Sequence, residues 1–543
     1  MEFPDYEPTA PNFIRSLTAH YADNPMIVLD DQRLSYAEAD AESARMASGL
    51  LDAGVGKGTH VGMLLPNGPD WVTTWLAITR IGAIAVPFNT FFQGRELVWM
   101  LDHADVEVFV TAASFLGHDY LERLESSVAG LAEAESHRLQ LTSLPFLRSV
   151  YVVGECERRW AVCASSLSQH ECEIGSPSRA RLDAAQDRVR PADPMMILYS
   201  SGSTADPKGA VHSQGTIIRH SYNLLSTRDL RSEDRIWSPM PFFWVGGFVF
   251  SLLGSLHTGA CILCEKAFDP EQTLLFLERE RATIAAGWPH FGQALANHPT
   301  AKQRDLSALR AGNLPEFLPE SIVPADPELR PNALGMTETC GPHTCVAEGP
   351  LPEALRGSHG VAVPGVEHKI VDPNTGKTLP PGETGEICVR GYSLMQRLYK
   401  VEREQTFDAD GFYHTGDAGY FNPDGVLYFK GRLGDMIKTA GANVTPSEVE
   451  QVMNAFPEIA QSYVVGLPDA ERGQLVVAAV TLESDCEADP QELRERIKRE
   501  LSAYKVPRHI FISHEDELPF TDSGKIDKKT LAERLATKIM AKA

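Results

Sequence analysis

The chain of 543 residues carries 50 basic and 73 acidic side chains, a formal net charge of −23, with 43% hydrophobic and 23% charged residues. This balance excludes disordered, collagen-like and coiled-coil chains, and the length asks for at least two hydrophobic cores. So acidic a surface repels nucleic acid and anionic lipid, so an anionic substrate needs a local cationic pocket or a metal ion.

The opening MEFPDYEPTAPN is acidic and proline-containing, unlike a signal peptide, and the cytoplasm is the expected location. From residue 30 onward short apolar runs alternate with longer amphipathic stretches. HVGMLL (60–65) precedes a helical DWVTTWLAITRIGA, then AIAVPFN, a helical GRELVWMLDHA and VEVFV. The segment 113–192 reads as helix and exposed loop around one strand, SVYVV. The beat returns in MMILYS, ACILC and TIAAG, which predicts an α/β fold with largely parallel sheets flanked by helices.

Ile236 to Cys264 contains no Asp, Glu, Lys or Arg. A membrane span needs about 20 mostly apolar residues, but Pro239, Pro241, Gly246, Gly247, Gly254, Ser255, His257 and Gly259 interrupt this run. It predicts a buried helix between two buried strands, and no transmembrane segment. Nine scattered cysteines, an odd number, do not make a disulfide framework. Cys261 and Cys264 have zinc-ligand spacing without a second pair, and they read as a buried strand.

Beyond residue 365 the strands EHKIVD, GEICVRG and GVLYFKGR alternate with DPNTG, PPGE and NPDG turns, the pattern of antiparallel hairpins in a small barrel-like part. After Arg432 come the helix PSEVEQVMNAF, strands QSYVVGL and QLVVAAVTL, the helix PQELRERIKREL and a Lys-rich end. The expected organisation is a domain 1–432, a hinge 433–435 at Gly434, and a small α+β domain 436–543.

The strongest local signal is YSSGSTADPKGA, Tyr199 to Ala210. Small residues let backbone N–H groups converge, hydroxyls add donors, and Lys208 adds charge. Ser200, Ser201, Gly202, Ser203, Thr204 and Lys208 thus predict a phosphate cradle. It is not the Walker loop, since Pro207 precedes Lys208 and Gly209 follows it.

With this loop, PFFWVGG (241–247), GMTETCG (335–341), GETGEICVRG (382–391), YHTGDAGYFNPDGVLYFKGR (413–432), YKVPR (504–508) and LPFTDSGKIDK (518–528) occur in order. Together they resemble the adenylate-forming acyl-CoA synthetase family from about residue 30 to the end. The resemblance implies an ATP-dependent acid–CoA ligase releasing AMP and pyrophosphate, with ATP, coenzyme A and a hydrophobic carboxylic acid as partners and Mg2+ as cofactor.

The resemblance also implies roles. Glu338 is similar to the Mg2+ ligand, a hard oxygen donor, and Thr337 places a hydroxyl beside the phosphates with Gly335 and Met336. Asp417 accepts from the ribose hydroxyls. Arg432 is a second nucleotide contact, and Gly312 with Asn313 forms an adenine edge. Lys525 bridges the acid's carboxylate and the α-phosphate, an ammonium on a flexible stem that enters and leaves. By residue type alone Lys525 reads as a solvated lysine beside Lys528 and Lys529.

For the second step the resemblance implies that the C-terminal domain swings about its hinge, so that Ala440 and Gly441 border the coenzyme A channel and Lys438 assists. By the same resemblance Trp244 borders the acyl tunnel, and with Phe242, Phe243, Val245, Gly246, Gly247, Trp288, His290 and Phe291 nearby it implies an apolar, aromatic-rimmed acid pocket open to fatty, aryl or steroid-like acids. His290 reads more readily as a satisfied core histidine than as a catalytic one.

Three positions depart from the family pattern. Ala205 replaces a loop glycine, Leu334 replaces an aromatic before Gly335, and Gly434 replaces a charged pivot. They bear on ATP affinity and domain motion more than on bond making. A stand-alone enzyme loading a carrier protein is the alternative, disfavoured by a chain ending soon after Lys525; a luciferase-type oxidation stays open. A non-catalytic nucleotide-binding scaffold is opposed by Lys208, Glu338, Asp417, Arg432 and Lys525 occurring together. A homodimer is compatible with the sequence.

Overall fold

The runs expected to be strands lack polar alternation, as suits strands covered on both faces. The computed structural model describes residues 2–540 apart from 137–138, 170–171, 174, 201–206, 347–348, 374, 434–436, 445, 485, 515–516 and 521–525, with the backbone alone at 327, 431, 432, 443 and 447. The chain divides into two compact units. One comprises Met1–Thr90, Val98–Tyr199 and Gly209–Gly431, the other Phe91–Leu97, Ser200–Lys208 and Arg432–Ala543.

Among the described residues an eight-stranded sheet runs in the order Arg397–Leu398, Lys208–Ser213, Pro194–Ser200, Ile84–Pro87, His60–Leu64, Val108–Ala112, Ser149–Val153 and Val162–Cys163. The strands from Pro194–Ser200 onward pair in parallel, and Arg397–Leu398 closes one edge antiparallel to Lys208–Ser213. A six-stranded sheet orders Ala311–Gly312, Ile284–Ala285, Arg235–Trp237, Cys261–Cys264, Pro25–Leu29 and Gln32–Ser35, parallel except for the last pair. The α/β expectation holds.

Helices cover these sheets. Tyr36–Asp52 starts at a capping box, where Ser35 and Glu38 satisfy each other's backbone N–H groups. Pro69–Thr79 begins with proline in its first turn and buries Trp71 and Trp75 fully. The segment 113–192 folds around Ser149–Val153 with helices Tyr120–Ser127 and Pro177–Gln186, as expected.

The uncharged run becomes the strand Arg235–Trp237, the π-helix Gly246–Leu253, a short α-helix Gly254–Thr258 and the strand Cys261–Cys264. This is the expected helix between two buried strands, with a wider first half. Cys261 and Cys264 are both buried, and residues three apart in a strand point to opposite faces, so they do not share a ligand. Among the described residues no helix is long and apolar enough to cross a membrane.

Past residue 330 the first unit turns antiparallel. Ala333–Met336, Gly341–Cys345 and Val361–Ala362 form one small sheet. Val366–Val371, Gly385–Gly391, Tyr413–Phe421 and Leu427–Arg432 form a second, the hairpin-rich part expected from its turns. The second unit has a five-stranded sheet built on the long hairpin Ile459–Asp469 and Gly473–Leu482, with His509–Ile512 added parallel. Helices Pro446–Asn454, Pro490–Glu500 and Lys528–Met540 accompany it.

Within the second unit Lys505 is 2% exposed. Its Nζ reaches Glu448 at 2.7 Å and Glu96 at 2.9 Å, and the Ser502 hydroxyl donates to Glu96 at 3.1 Å. Burying an ammonium is tolerable only with such partners, and the two carboxylates hold it protonated.

Candidate active site

The strands Pro194–Ser200 and Lys208–Ser213 are neighbours in the eight-stranded sheet. Ser200 and Lys208, both half-buried, therefore mark the two ends of the expected phosphate loop. Ser201, Gly202, Ser203, Thr204 and Ala205 lie outside the described residues. The returning strand carries His212, fully buried, whose Nε2 is 2.7 Å from the Thr337 carbonyl. A carbonyl only accepts, so Nε2 carries the proton. Burial pushes this imidazole down to about 4, so it is neutral near pH 7.

Thr337 and Glu338 sit on a tight turn between Ala333–Met336 and Gly341–Cys345. The Met336 N–H donates to Thr339 Oγ1 at 3.2 Å, and that hydroxyl donates to the Gly341 carbonyl at 2.7 Å. A Cβ on Gly335 would lie 2.4 Å from the same carbonyl oxygen, so the strands close this tightly only with glycine there. Glu338 is 6% exposed, and its carbonyl accepts the Met395 N–H at 2.8 Å. One residue on, the Gln396 N–H donates to the Val211 carbonyl at 2.7 Å. Hydrogen bonds thus run from the phosphate-loop strand to Thr337 and Glu338, and back through residues 395 and 396. Leu334 is buried in the main core rather than on an open face.

Asp417 lies on the strand Tyr413–Phe421, in a bulge. Glu386 pairs with Ala418 and Cys388 with His414, so two residues' advance on one strand spans four on the other. Such an insertion re-aims the side chains it contains. Thr415 Oγ1 donates to the Ile387 carbonyl at 2.7 Å and accepts from the Asp417 N–H at 3.0 Å, while the Gly416 N–H donates to Glu386 at 3.0 Å. Asp417 is 5% exposed. The backbone of Arg432 ends the strand Leu427–Arg432, and its side chain lies outside the described atoms.

Gly312 and Asn313 stand at the end of the six-stranded sheet. A Cβ on Gly312 would meet the Ala285 carbonyl oxygen at 2.0 Å, and Asn313 Oδ1 accepts the Gly287 N–H at 2.8 Å. This side-chain bond ties the strand end to the segment leading to Trp288.

The expected acid-pocket residues divide. Phe242 is fully buried with its ring 5.4 Å from Trp71, so it belongs to the core beneath the site. Asn67 fixes this segment, accepting from the Phe242 N–H and donating to the Met240 carbonyl, both at 2.8 Å. Phe243 is buried and Trp244 half-buried, their rings edge to face at 4.9 Å. Trp244 meets Trp288 at 5.6 Å, and Trp288 stacks with His290 and Phe291, each at 5.9 Å. His290 is half-buried in the first turn of Pro289–Asn297, so it is not the core histidine expected. Val245 precedes the π-helix, which begins with Gly246 and Gly247.

In the second unit Lys438 is exposed on Ile437–Thr439. Ala440 and Gly441 form the two-residue turn to Ala442–Val444, with φ of 49° and 78°. Gly434 and Lys525 lie outside the described residues. Sequence reasoning missed His212, Asn67 and Met395. They act through main-chain groups of residues 125 to 175 positions away, or of 57 in the case of Met395, and no spacing rule reports such contacts.

Two family models match the chain, AMP-binding enzyme over residues 14–399 and AMP-binding enzyme C-terminal domain over 448–525. The chain is 30% identical over 530 residues to a putative acyl-CoA synthetase, YngI, of Bacillus subtilis, covering 95% of this chain and 94% of that one. It is 32% identical over 520 residues to feruloyl-CoA synthase of an Amycolatopsis species, covering 92% and 94%. Among solved structures it resembles the amide bond synthetase McbA of Marinactinospora thermotolerans, with a TM-score of 0.79, 25% identity and coverage of 96% and 99%. The chain therefore belongs to the AMP-binding, adenylate-forming acyl-CoA synthetase family and is an enzyme of the AMP-forming acid–thiol ligase class.

Proposed function

We propose that the protein joins an apolar carboxylic acid to coenzyme A in two steps through an acyl-adenylate. In the first, a carboxylate oxygen attacks the α-phosphorus of ATP and pyrophosphate leaves with the bonding pair. The reactants are both anions, so positive charge must be supplied where the transition state forms. Lys208 and Lys525 supply ammonium groups. Glu338, a hard carboxylate on a rigid turn, fits Mg2+ and would hold it, and the bound ion neutralises phosphate charge. Asp417 orients the ribose by accepting from its hydroxyls.

In the second step the thiol of coenzyme A attacks the acyl carbon and AMP leaves, with Ala440, Gly441 and Lys438 serving the thiol's approach about a hinge at 433–435. The observation that carries this reading is the continuous set of hydrogen bonds joining the phosphate-loop strand to Thr337 and Glu338 through His212, Met395 and Gln396. It ties Val211 and His212, on the strand that follows the phosphate loop, to the turn carrying Thr337 and Glu338, which supports the positioning that catalysis requires.

The Trp244–Trp288–His290–Phe291 aromatic set supports an acid with a flat or extended apolar body, and feruloyl-CoA synthase among the relatives agrees with an aryl acid. The test is AMP release from a panel of aryl, medium-chain and steroid acids, with coenzyme A, a phosphopantetheinyl carrier protein or an amine as acceptor. Coenzyme A-dependent turnover is expected. Turnover with the carrier alone would replace the proposal by carrier loading.

A further inference from the structure

We propose that Glu386, Cys388 and His414 form a binding site for a borderline-soft divalent cation of the zinc class, separate from the magnesium role of Glu338. Glu386 and Cys388 are two apart on Gly385–Gly391 and share a face, and His414 is the direct cross-strand partner of Cys388. One carboxylate oxygen, the thiol sulfur and one ring nitrogen lie within 4.8 Å of one another.

The separations suit a metal. His414 Nδ1 is 3.5 Å from Cys388 Sγ. Zn–S and Zn–N bonds of about 2.3 and 2.0–2.1 Å at a tetrahedral angle place sulfur and nitrogen about 3.5 Å apart. Glu386 Oε2 is 2.7 Å from the same nitrogen, a hydrogen bond that a cation replaces when it displaces the proton between them. A surface His–Glu pair alone explains that contact, but not a fully buried thiol closing the third corner.

Behind the imidazole, Asp408 Oδ2 stands 3.7 Å from Nε2. Asp408 is itself fixed by Lys369 Nζ at 2.6 Å and by the N–H groups of Phe412 at 2.8 Å and Asp410 at 3.0 Å. A carboxylate beyond the far nitrogen of a ligating histidine fixes its tautomer and raises its basicity. His414 is 42% exposed at its side chain, which gives an entry path and leaves water a fourth position. Binding converts the thiol to thiolate, its proton leaving to solvent, while the neutral imidazole binds through Nδ1 with its proton on Nε2 facing Asp408.

The direct test is titration of untagged, nucleotide-free protein with ZnCl2 in excess Mg2+, against a chromophoric chelator. One tight Zn2+ per chain is expected, weakened at least about tenfold in Cys388→Ser and His414→Asn and about ten- to a hundredfold in Asp408→Asn. Cobalt substitution should give thiolate-to-metal charge-transfer absorption that Cys388→Ser abolishes. Circular dichroism checks that each variant folds, and the cobalt spectrum of the wild type needs no variant. Absence of tight binding, absence of the charge-transfer band, or unchanged stoichiometry in the Cys388→Ala/His414→Ala protein overturns the site.

Glu386 also accepts the Gly416 N–H beside Asp417, so occupancy pulls on that turn. Added Zn2+ should raise KM for ATP in the wild type and not in Cys388→Ala. This consequence rests on the ribose reading. Bound zinc with unchanged KM overturns the coupling, while the titration decides the site without it.

Discussion

Asp417, the proposed ribose contact, shows how local chemistry sets the position of a side chain. Thr415 bonds across to the Ile387 carbonyl and back to the Asp417 N–H, so the carboxylate is carried on a pinned bulge. Charge-assisted hydrogen bonds contribute about 1.5–3 kcal/mol each. Asp417→Ala should therefore raise KM for ATP roughly ten- to a hundredfold with a smaller change in kcat, and an unchanged KM removes it from the ribose site. For Lys525→Ala, acid-dependent pyrophosphate exchange should fall below detection while thioester formation from preformed acyl-adenylate persists. Equal loss of both reactions would show its role to be misassigned. Both were singled out as candidates because they stand in the motifs HTGD and SGKI. His212 was not, because its partner Thr337 is 125 positions away.

At the level of elements, the turn bearing Glu338 depends on close strand approach. Gly335→Ala drives a methyl to 2.4 Å from the Gly341 carbonyl. It should cost about 1–3 kcal/mol of stability and lower kcat, read by thermal unfolding and AMP release. The Ala440–Gly441 hairpin has both residues at positive φ, a turn that favours Asn-Gly or Gly-Gly. Ala440→Gly should raise the urea midpoint by up to about 1 kcal/mol in stability, and Ala440→Val should lower it. The uncharged run around residue 250 was legible as buried, but its π-helical register was not. An apolar run carries no periodicity to read, so packing chooses the hydrogen-bond spacing.

Across the whole molecule, buried imidazoles set a pH limit. Burial holds His220 and His368 down to about 4 and His257 to about 3. They stay neutral in the folded chain, whereas unfolded imidazoles titrate near 6.5. Between about pH 6.5 and 4 the unfolded chain binds protons that the folded chain does not, so stability falls as pH falls. Each histidine contributes about 1.4 kcal/mol per pH unit. The urea midpoint should drop steeply from pH 7 to pH 5, and His368→Gln should shallow the slope by one proton; equal midpoints at both pH values would contradict this.

By itself the sequence determined the α/β beat, the hairpin-rich segment after residue 365, the buried strand at Cys261–Cys264 and the family. Those properties reside in composition, short-range periodicity and motifs whose members lie within a dozen residues. Only the tertiary structure decided that Phe242 turns into the core while His290 remains half-buried, and that His212 props Thr337. It alone brought Cys388 opposite His414. Strand register and long-range hydrogen bonds are set by how distant segments pack, and no spacing along one chain encodes which face meets which.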